Sequence, residues 1–236
     1  MMESSKQKFL NLYRHNVEMV DLNELKYIDI NDEWKMIFSN VKVKERISDT
    51  IKLWNKYMEA ELKNTINYFQ DHLVGLDLLK CNDEYSVLYN IKTLDGEIEY
   101  YEGRLPLNQA DIDNENLNKA WMSIPESIRK FYTHLHNGFY FYASNAMGLV
   151  SIKNMTYFAD DEWGIIEELE EPVQIDLTKT FGFFHNGMGG YVAVDDSNCV
   201  GDNAVLWFSN KAPIYTFDAW DIVAGNGDGI SNPLNI

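Results

Sequence analysis

Phe181-Gly182-Phe183-Phe184-His185-Asn186-Gly187-Met188-Gly189-Gly190-Tyr191-Val192-Ala193-Val194 is the stretch from which the architecture is read. Two short aromatic or β-branched runs flank a cluster of Asn and Gly, the pattern of strand, tight turn and strand. The glycines resemble a phosphate-cradling loop only in number. Such a loop opens a helix whose N-terminus holds the anion, whereas Gly190 runs directly into an apolar strand pattern. Similar runs recur at residues 139–142, 148–152 and 205–208, again separated by Gly and Asn. No sustained alternation of strand and helix accompanies them, so the expectation is α+β: a mixed or antiparallel sheet with flanking helices.

Working outward, residues 124–135 carry Ile128, Phe131, Tyr132 and Leu135 at helical spacing. Pro125 sits where a missing N–H costs nothing, and Asn137-Gly138 supplies the stop. Residues 217–223 suggest a short final helix. Upstream, Tyr85, Val87, Tyr89 and Ile91 alternate with mostly polar neighbours, Asp95-Gly96 offers a turn, and Ile98 and Tyr100 alternate on the return. That is a hairpin signal, with positive φ expected at both turn residues. Before it, Val43, Ile47, Ile51, Trp54, Met58, Leu62, Ile66, Phe69 and Leu73 form one apolar stripe. A single helix over 43–73 would span about 45 Å, long enough to admit a kink. The Asn- and Asp-rich residues 108–118 mark a linker, with a boundary near Asp111. The expected organisation is a helical region with a β-hairpin over 1–110, a second domain over 111–224 and a polar tail over 225–236.

The chain has 236 residues, with 20 Lys and Arg against 37 Asp and Glu, a formal net charge of −17. So acidic a surface repels phosphate, which argues against nucleic-acid and anionic-membrane partners. The 45% hydrophobic and 14% aromatic content excludes an acidic disordered tail. Cys81 and Cys199 make neither a disulfide framework nor a metal knuckle, and free thiols suit a reducing compartment. The N-terminal residues lack the unbroken apolar stretch of a signal peptide, so a cytoplasmic location is expected and the sequon at Asn154 is a chance match.

The candidate chemistry is sparse. His134 and His136 lie two apart near a helix end and point to different faces, and His185 has no partner motif, so no metal site is expected. Asp195-Asp196-Ser197-Asn198 and Asn226-Gly227-Asp228-Gly229 hint at calcium. In a calcium loop with Asp228-Gly229 at its fifth and sixth positions, however, Ala224 and Asn235 would occupy the positions that need carboxylates. No nucleophile elbow or thiol–His pair is present, and no cofactor is indicated. An uncharacterised hydrolase or calcium-dependent enzyme is the least supported reading.

One segment stands out. Asp160, Asp161, Glu162, Glu167, Glu168, Glu170 and Glu171 place seven carboxylates within twelve residues around Trp163, with no Lys or Arg among them. The plain reading is a solvated loop. The sharper one is a docking surface that steers a basic partner, with Trp163 as a desolvated anchor.

The second half also resembles the SUKH superfamily. The similarity lies in Ile124-Pro125-Glu126, Arg129-Lys130-Phe131-Tyr132 and Asn137-Gly138 of the opening helix, and in Leu149-Val150-Ser151-Ile152 as the following strand. The strand–glycine turn–strand from Phe181 to Tyr191, Val205-Leu206-Trp207 and Thr216-Phe217-Asp218-Ala219-Trp220 continue it in order. It covers residues 121–224. Lys153-Asn154 stand where the family commonly has acids, and the first ~110 residues have no counterpart in a minimal family domain. The resemblance implies a non-catalytic α+β binding domain. Bacterial members are mostly immunity proteins that neutralise a toxin, often a nuclease or nucleic-acid deaminase; fungal relatives act as interaction hubs. The expected function is therefore stoichiometric binding of a cognate, basic protein toxin, the alternative being a regulatory module of the same fold without a toxin.

Overall fold

Residues 5–108, 112–144, 147–198 and 200–223 are described by the computed structural model. The chain is α+β, built on one antiparallel sheet of eleven strands among the described residues. In chain order these are β1 (Val17–Met19), β2 (Leu73–Cys81), β3 (Glu84–Lys92), β4 (Ile98–Arg104), β5 (Phe139–Phe141), β6 (Met147–Leu149), β7 (Thr156–Tyr157), β8 (Thr180–Asn186), β9 (Gly190–Asp195), β10 (Asn203–Phe208) and β11 (Ile214–Asp218). Neighbours in space follow neighbours in sequence from β1 to β11, except that β6 and β7 both pair with β8. Helices α1 (Ser5–Tyr13), α2 (Asp32–Ser39), α3 (Val43–Met58), α4 (Lys63–His72), α5 (Glu115–Ala120), α6 (Glu126–Lys130) and α7 (Ala219–Val223) flank it.

The central strands β3, β8, β9 and β10 are largely buried because both of their faces are covered. Val192 and Val194 of β9, with Ala204, Leu206 and Phe208 of β10, join the main core with α2, α3, α4, α6 and Trp220 of α7. Tyr191, Ala193, Val205 and Trp207 point the other way, into a second cluster under residues 158–177. At the far end of that reverse face, Leu79 of β2, Leu88 of β3 and Tyr142 pack on Leu10 of α1. Period-two alternation thus sorts β2, β3, β9 and β10 between hydrophobic clusters on the two faces, which is why their runs look continuously apolar in sequence.

The hairpin of β3 and β4 has the expected register, with Tyr89 opposite Tyr101 and Lys92 opposite Ile98. Its turn is wider than a two-residue Asp-Gly connection. Gly96 N–H donates to Thr93 O, Thr93 N–H donates to Glu97 O, and Gly96 (φ 92°) alone takes a positive φ there, while Asp95 accepts from the Thr93 hydroxyl. The glycine cluster after β8 is the expected strand connection, with Gly187 and Gly189 at φ 75° and 80° and Asn186 Oδ1 accepting from Met188 and Gly190 N–H.

Three expectations are corrected. The stripe over 43–73 is not one helix: α3 stops at Met58, α4 begins at Lys63, and Leu73 already belongs to β2. Met58, Leu62, Ile66 and Phe69 stay in phase with one core across the break, so spacing alone could not reveal it. The buried face of α3 is also rotated toward Arg46, Thr50 and Leu53. The final helix is shorter than expected, because Phe217 and Asp218 close β11 and Asp218 Oδ1 caps α7 by accepting from Trp220 N–H. The helix after Pro125 runs as α6 and then loosens into a π turn over Phe131–Leu135, where His136 N–H reaches back to Phe131 O at 3.0 Å.

The boundary expected near Asp111 lies with residues 109–111 outside the described residues, as does the tail over 225–236. On either side of that boundary, Tyr101, Glu102 and Gly103 of β4 pair with Phe141, Tyr140 and Phe139 of β5. The main core draws side chains from both halves.

That joint core closes around His136, which is fully buried. Its Nδ1 faces Arg104 O at 2.9 Å, and a carbonyl can only accept, so Nδ1 carries the proton. Nε2 then accepts from the Tyr89 hydroxyl at 2.7 Å, whose oxygen accepts from the Trp54 indole N–H at 3.0 Å. Rings of Trp34, Trp54, Tyr89, Phe131 and Phe139 enclose the imidazole, and Trp34 donates to Leu135 O beside it. Gly103 makes room, since a Cβ there would overlap the His136 ring.

Burial lowers the His136 pKa from its ordinary 6.5 to about 3. The unfolded chain therefore takes up a proton below pH ~6.5 that the folded chain refuses until about pH 3. Stability is lost as pH falls through that window, by up to about 1.4 kcal/mol per pH unit. Urea unfolding between pH 7.5 and 4.5 should show a steeper loss for the native chain than for His136→Gln; parallel slopes would exclude His136 as the titrating group. Tyr89→Phe, which strands the Trp54 N–H and His136 Nε2, should cost about 1–3 kcal/mol at pH 7 in the same assay.

Candidate functional site

Between β7 and β8 the chain crosses the reverse face of the sheet with no strand of its own. Short 3-10 turns at Phe158–Asp160 and Gly164–Glu168 carry it. Sequence explains the path: Phe158, Trp163, Ile165, Ile166, Leu169, Val173, Ile175 and Leu177 are the inward residues. They settle on Ala193, Val205 and Trp207, and the residues between them are left outside.

Those outside residues are the acids. Asp160, Asp161, Glu162, Glu167, Glu168, Glu170 and Glu171 are all exposed, and none pairs with a Lys or Arg among the described residues. Their effect reaches neighbouring hydroxyls. Burial and the nearby Asp161 raise the pKa of Tyr191, and burial with Asp160 does the same for Tyr157. The segment is fixed at intervals by its apolar residues, so the carboxylates are displayed on an ordered support.

Trp163, expected as an anchor for a partner, is half-buried and packs against the sheet. Its ring lies against Phe158, Tyr191 and Trp207 at 4.7, 5.5 and 5.2 Å between centroids, and its N–H donates to Phe158 O at 2.8 Å. These contacts cover part of the indole and leave the residue half-buried. The apolar surface that is offered outward lies elsewhere, in a groove of about 370 Å³ lined by Ile165, Leu169, Pro172, Ala212, Pro213 and Tyr215 and bordered by Glu168, Glu170 and Glu171. Sequence reasoning missed this groove because Ala212 and Pro213 of the β10–β11 connection and Tyr215 of β11 arrive from some forty residues downstream.

The other candidates fall apart spatially. His134 is half-buried and stacks on Tyr57 at 4.1 Å, while His136 belongs to the core network. His185 contacts Thr156 and Tyr191. Among the described residues no group of three or more His, Cys, Asp or Glu is gathered so as to hold a metal ion. Asp195 serves its own turn, accepting from the N–H and hydroxyl of Ser197. The second calcium-like stretch, at 226–229, and Cys199 lie outside the described residues. Among the described residues no helix is long and apolar enough to cross a membrane.

A second polar recess, of about 410 Å³, was not anticipated either. Arg14 at the end of α1 pairs with the buried Glu102 and covers the Tyr142 ring, while Arg104 bonds the Tyr140 hydroxyl and Glu84. The alternation of Tyr100, Glu102 and Arg104 on β4 is its sequence signal. Both arginines are engaged by carboxylates and Asp83 adds a third acid to the lining, so the recess offers no unpaired cation to an anionic ligand.

Comparison with protein-family models, with curated proteins and with solved structures returned no match.

The division of labour within the acidic segment is measurable. Trp163→Ala should lower stability by about 2 kcal/mol, since it opens a cavity against Phe158 and Trp207. Joint replacement of Asp160 and Asp161 by Asn and of Glu162 by Gln should move it by less than about 0.5 kcal/mol. Chemical denaturation of the two variants checks both values, and a destabilised triple variant would show that these acids are structural.

Proposed function

We propose that this chain is an immunity-type binding protein that neutralises a basic protein toxin by stoichiometric association, using the acidic segment at residues 160–171. The observation that carries the reading is the set of seven exposed carboxylates that pair with no Lys or Arg among the described residues, displayed on a segment anchored to the sheet. A protein that handles nucleic acid must present a cationic face to phosphate, and a fixed anionic surface competes for that face. The −17 net charge extends the attraction beyond contact distance. The ordered series of motifs resembling the SUKH superfamily agrees with a binding role rather than catalysis.

Co-expression with the product of the neighbouring gene is the direct test. Rescue of growth from a toxic neighbour, with co-purification in fixed stoichiometry, is the expected result. A non-toxic neighbour that still co-purifies would favour the regulatory-module reading, and absence of any complex would remove both. With a partner in hand, replacing Asp160, Asp161 and Glu162 by their amides should lower the association rate about threefold to tenfold at low salt and flatten its salt dependence. An unchanged rate and salt slope would place the interface elsewhere.

A further inference from the structure

The groove beside the acidic segment narrows the chemistry of the partner. Its floor and walls are apolar: Ile165, Leu169 and Pro172 on one side, Ala212, Pro213 and Tyr215 on the other. Its border is anionic, through Glu168, Glu170 and Glu171. Lys211, adjacent in sequence, does not neutralise that border; its ammonium sits 3.8 Å above the Phe208 ring. Tyr215 reaches the groove from β11, the last strand of the sheet.

Each simple ligand class satisfies only half of these features. A purely apolar group would desolvate three carboxylates without compensation, and an anion would be repelled. A uniformly basic segment would pair with the glutamates and leave the apolar floor wet. A segment with one aliphatic side chain between Lys or Arg residues meets both demands. The aliphatic group leaves water, and the flanking cations pair with the rim, where such contacts govern specificity and association rate. We propose that the groove receives a single aliphatic side chain of a protein partner, flanked on both sides by Lys or Arg that pair with Glu168, Glu170 and Glu171. This rests on the acidic-surface reading above and adds the position and side-chain chemistry of the contact.

Fluorescence anisotropy tests it with three labelled nine-residue peptides. The first has a central leucine between two blocks of four Lys and Arg residues, the second has serine in place of the leucine, and the third has glutamine in place of every basic residue. The leucine peptide should bind with marked salt dependence, the serine peptide about tenfold more weakly, and the glutamine peptide not measurably. Ala212→Trp fills the groove without changing any charge; since Ala212 is exposed, the fold should survive, as circular dichroism would verify. In that variant, or in Ala212→Lys if the tryptophan disturbs folding, the leucine and serine peptides should bind alike. Joint replacement of Glu168, Glu170 and Glu171 by Gln should weaken both basic peptides.

Equal, salt-dependent binding of the leucine and serine peptides to the native chain would overturn the groove while leaving the acidic-surface reading intact. So would a leucine preference that survives filling of the groove. If neither basic peptide binds at low salt, both readings fall.

Discussion

The fold depends on keeping one imidazole dry. His136 has an orphanable nitrogen on each side, and burial makes an unpaired polar atom costly. The chain meets this constraint with three elements far apart in sequence: the Arg104 carbonyl at the end of β4, the Tyr89 hydroxyl on β3 and, behind it, the Trp54 indole on α3. Each bond fixes the direction of the next, so the network has a single proton arrangement. Because α3 and the π turn are held through it, the N-terminal helices are fastened to the C-terminal half by polar contacts as well as by apolar packing. Trp34, bonding to Leu135 O across 101 positions of sequence, repeats the fastening from α2. This accounts for a core shared by the regions on either side of residue 111.

The legible parts of the fold were those where one local rule decided the outcome. Period-two alternation gave the strand runs and the β3–β4 hairpin, and Pro125 and Gly138 bracketed the helix between them. The parts that escaped were those where two rules give the same pattern. Leu73 completes a helical stripe and equally begins a strand, so β2 was hidden. Phe217-Asp218 suits a helix start or a strand end, and only the cap made by Asp218 settles which. The His136 network had no signal in the sequence, since a lone His beside a helix terminus has many uses.

The acidic segment shows the same limit at the level of the site. Its charge and exposure follow from composition, because seven carboxylates cannot be buried without partners. The direction of Trp163 does not follow, because an indole suits both an interface and a core. Its inward placement depends on Phe158, Tyr191 and Trp207, which no local pattern joins to it. The groove is a still more distant product, made where this segment meets the β10–β11 connection. Local composition therefore identified the charged half of the candidate site, and tertiary structure supplied the apolar half.

The last strand carries one more consequence. The pairing of β10 with β11 slips between Ala204 and Leu206, Thr216 takes a left-handed φ of 59°, and Pro213 just before β11 has no N–H to offer. A long sheet that ends in a regular strand invites a second copy to add on and propagate into aggregates. Here the terminus is irregular and lies beside a row of like charges, so two molecules meeting edge to edge find mismatched hydrogen-bonding groups and mutual repulsion. The irregular pairing and the exposed carboxylates of this corner both oppose edge-to-edge growth of the sheet.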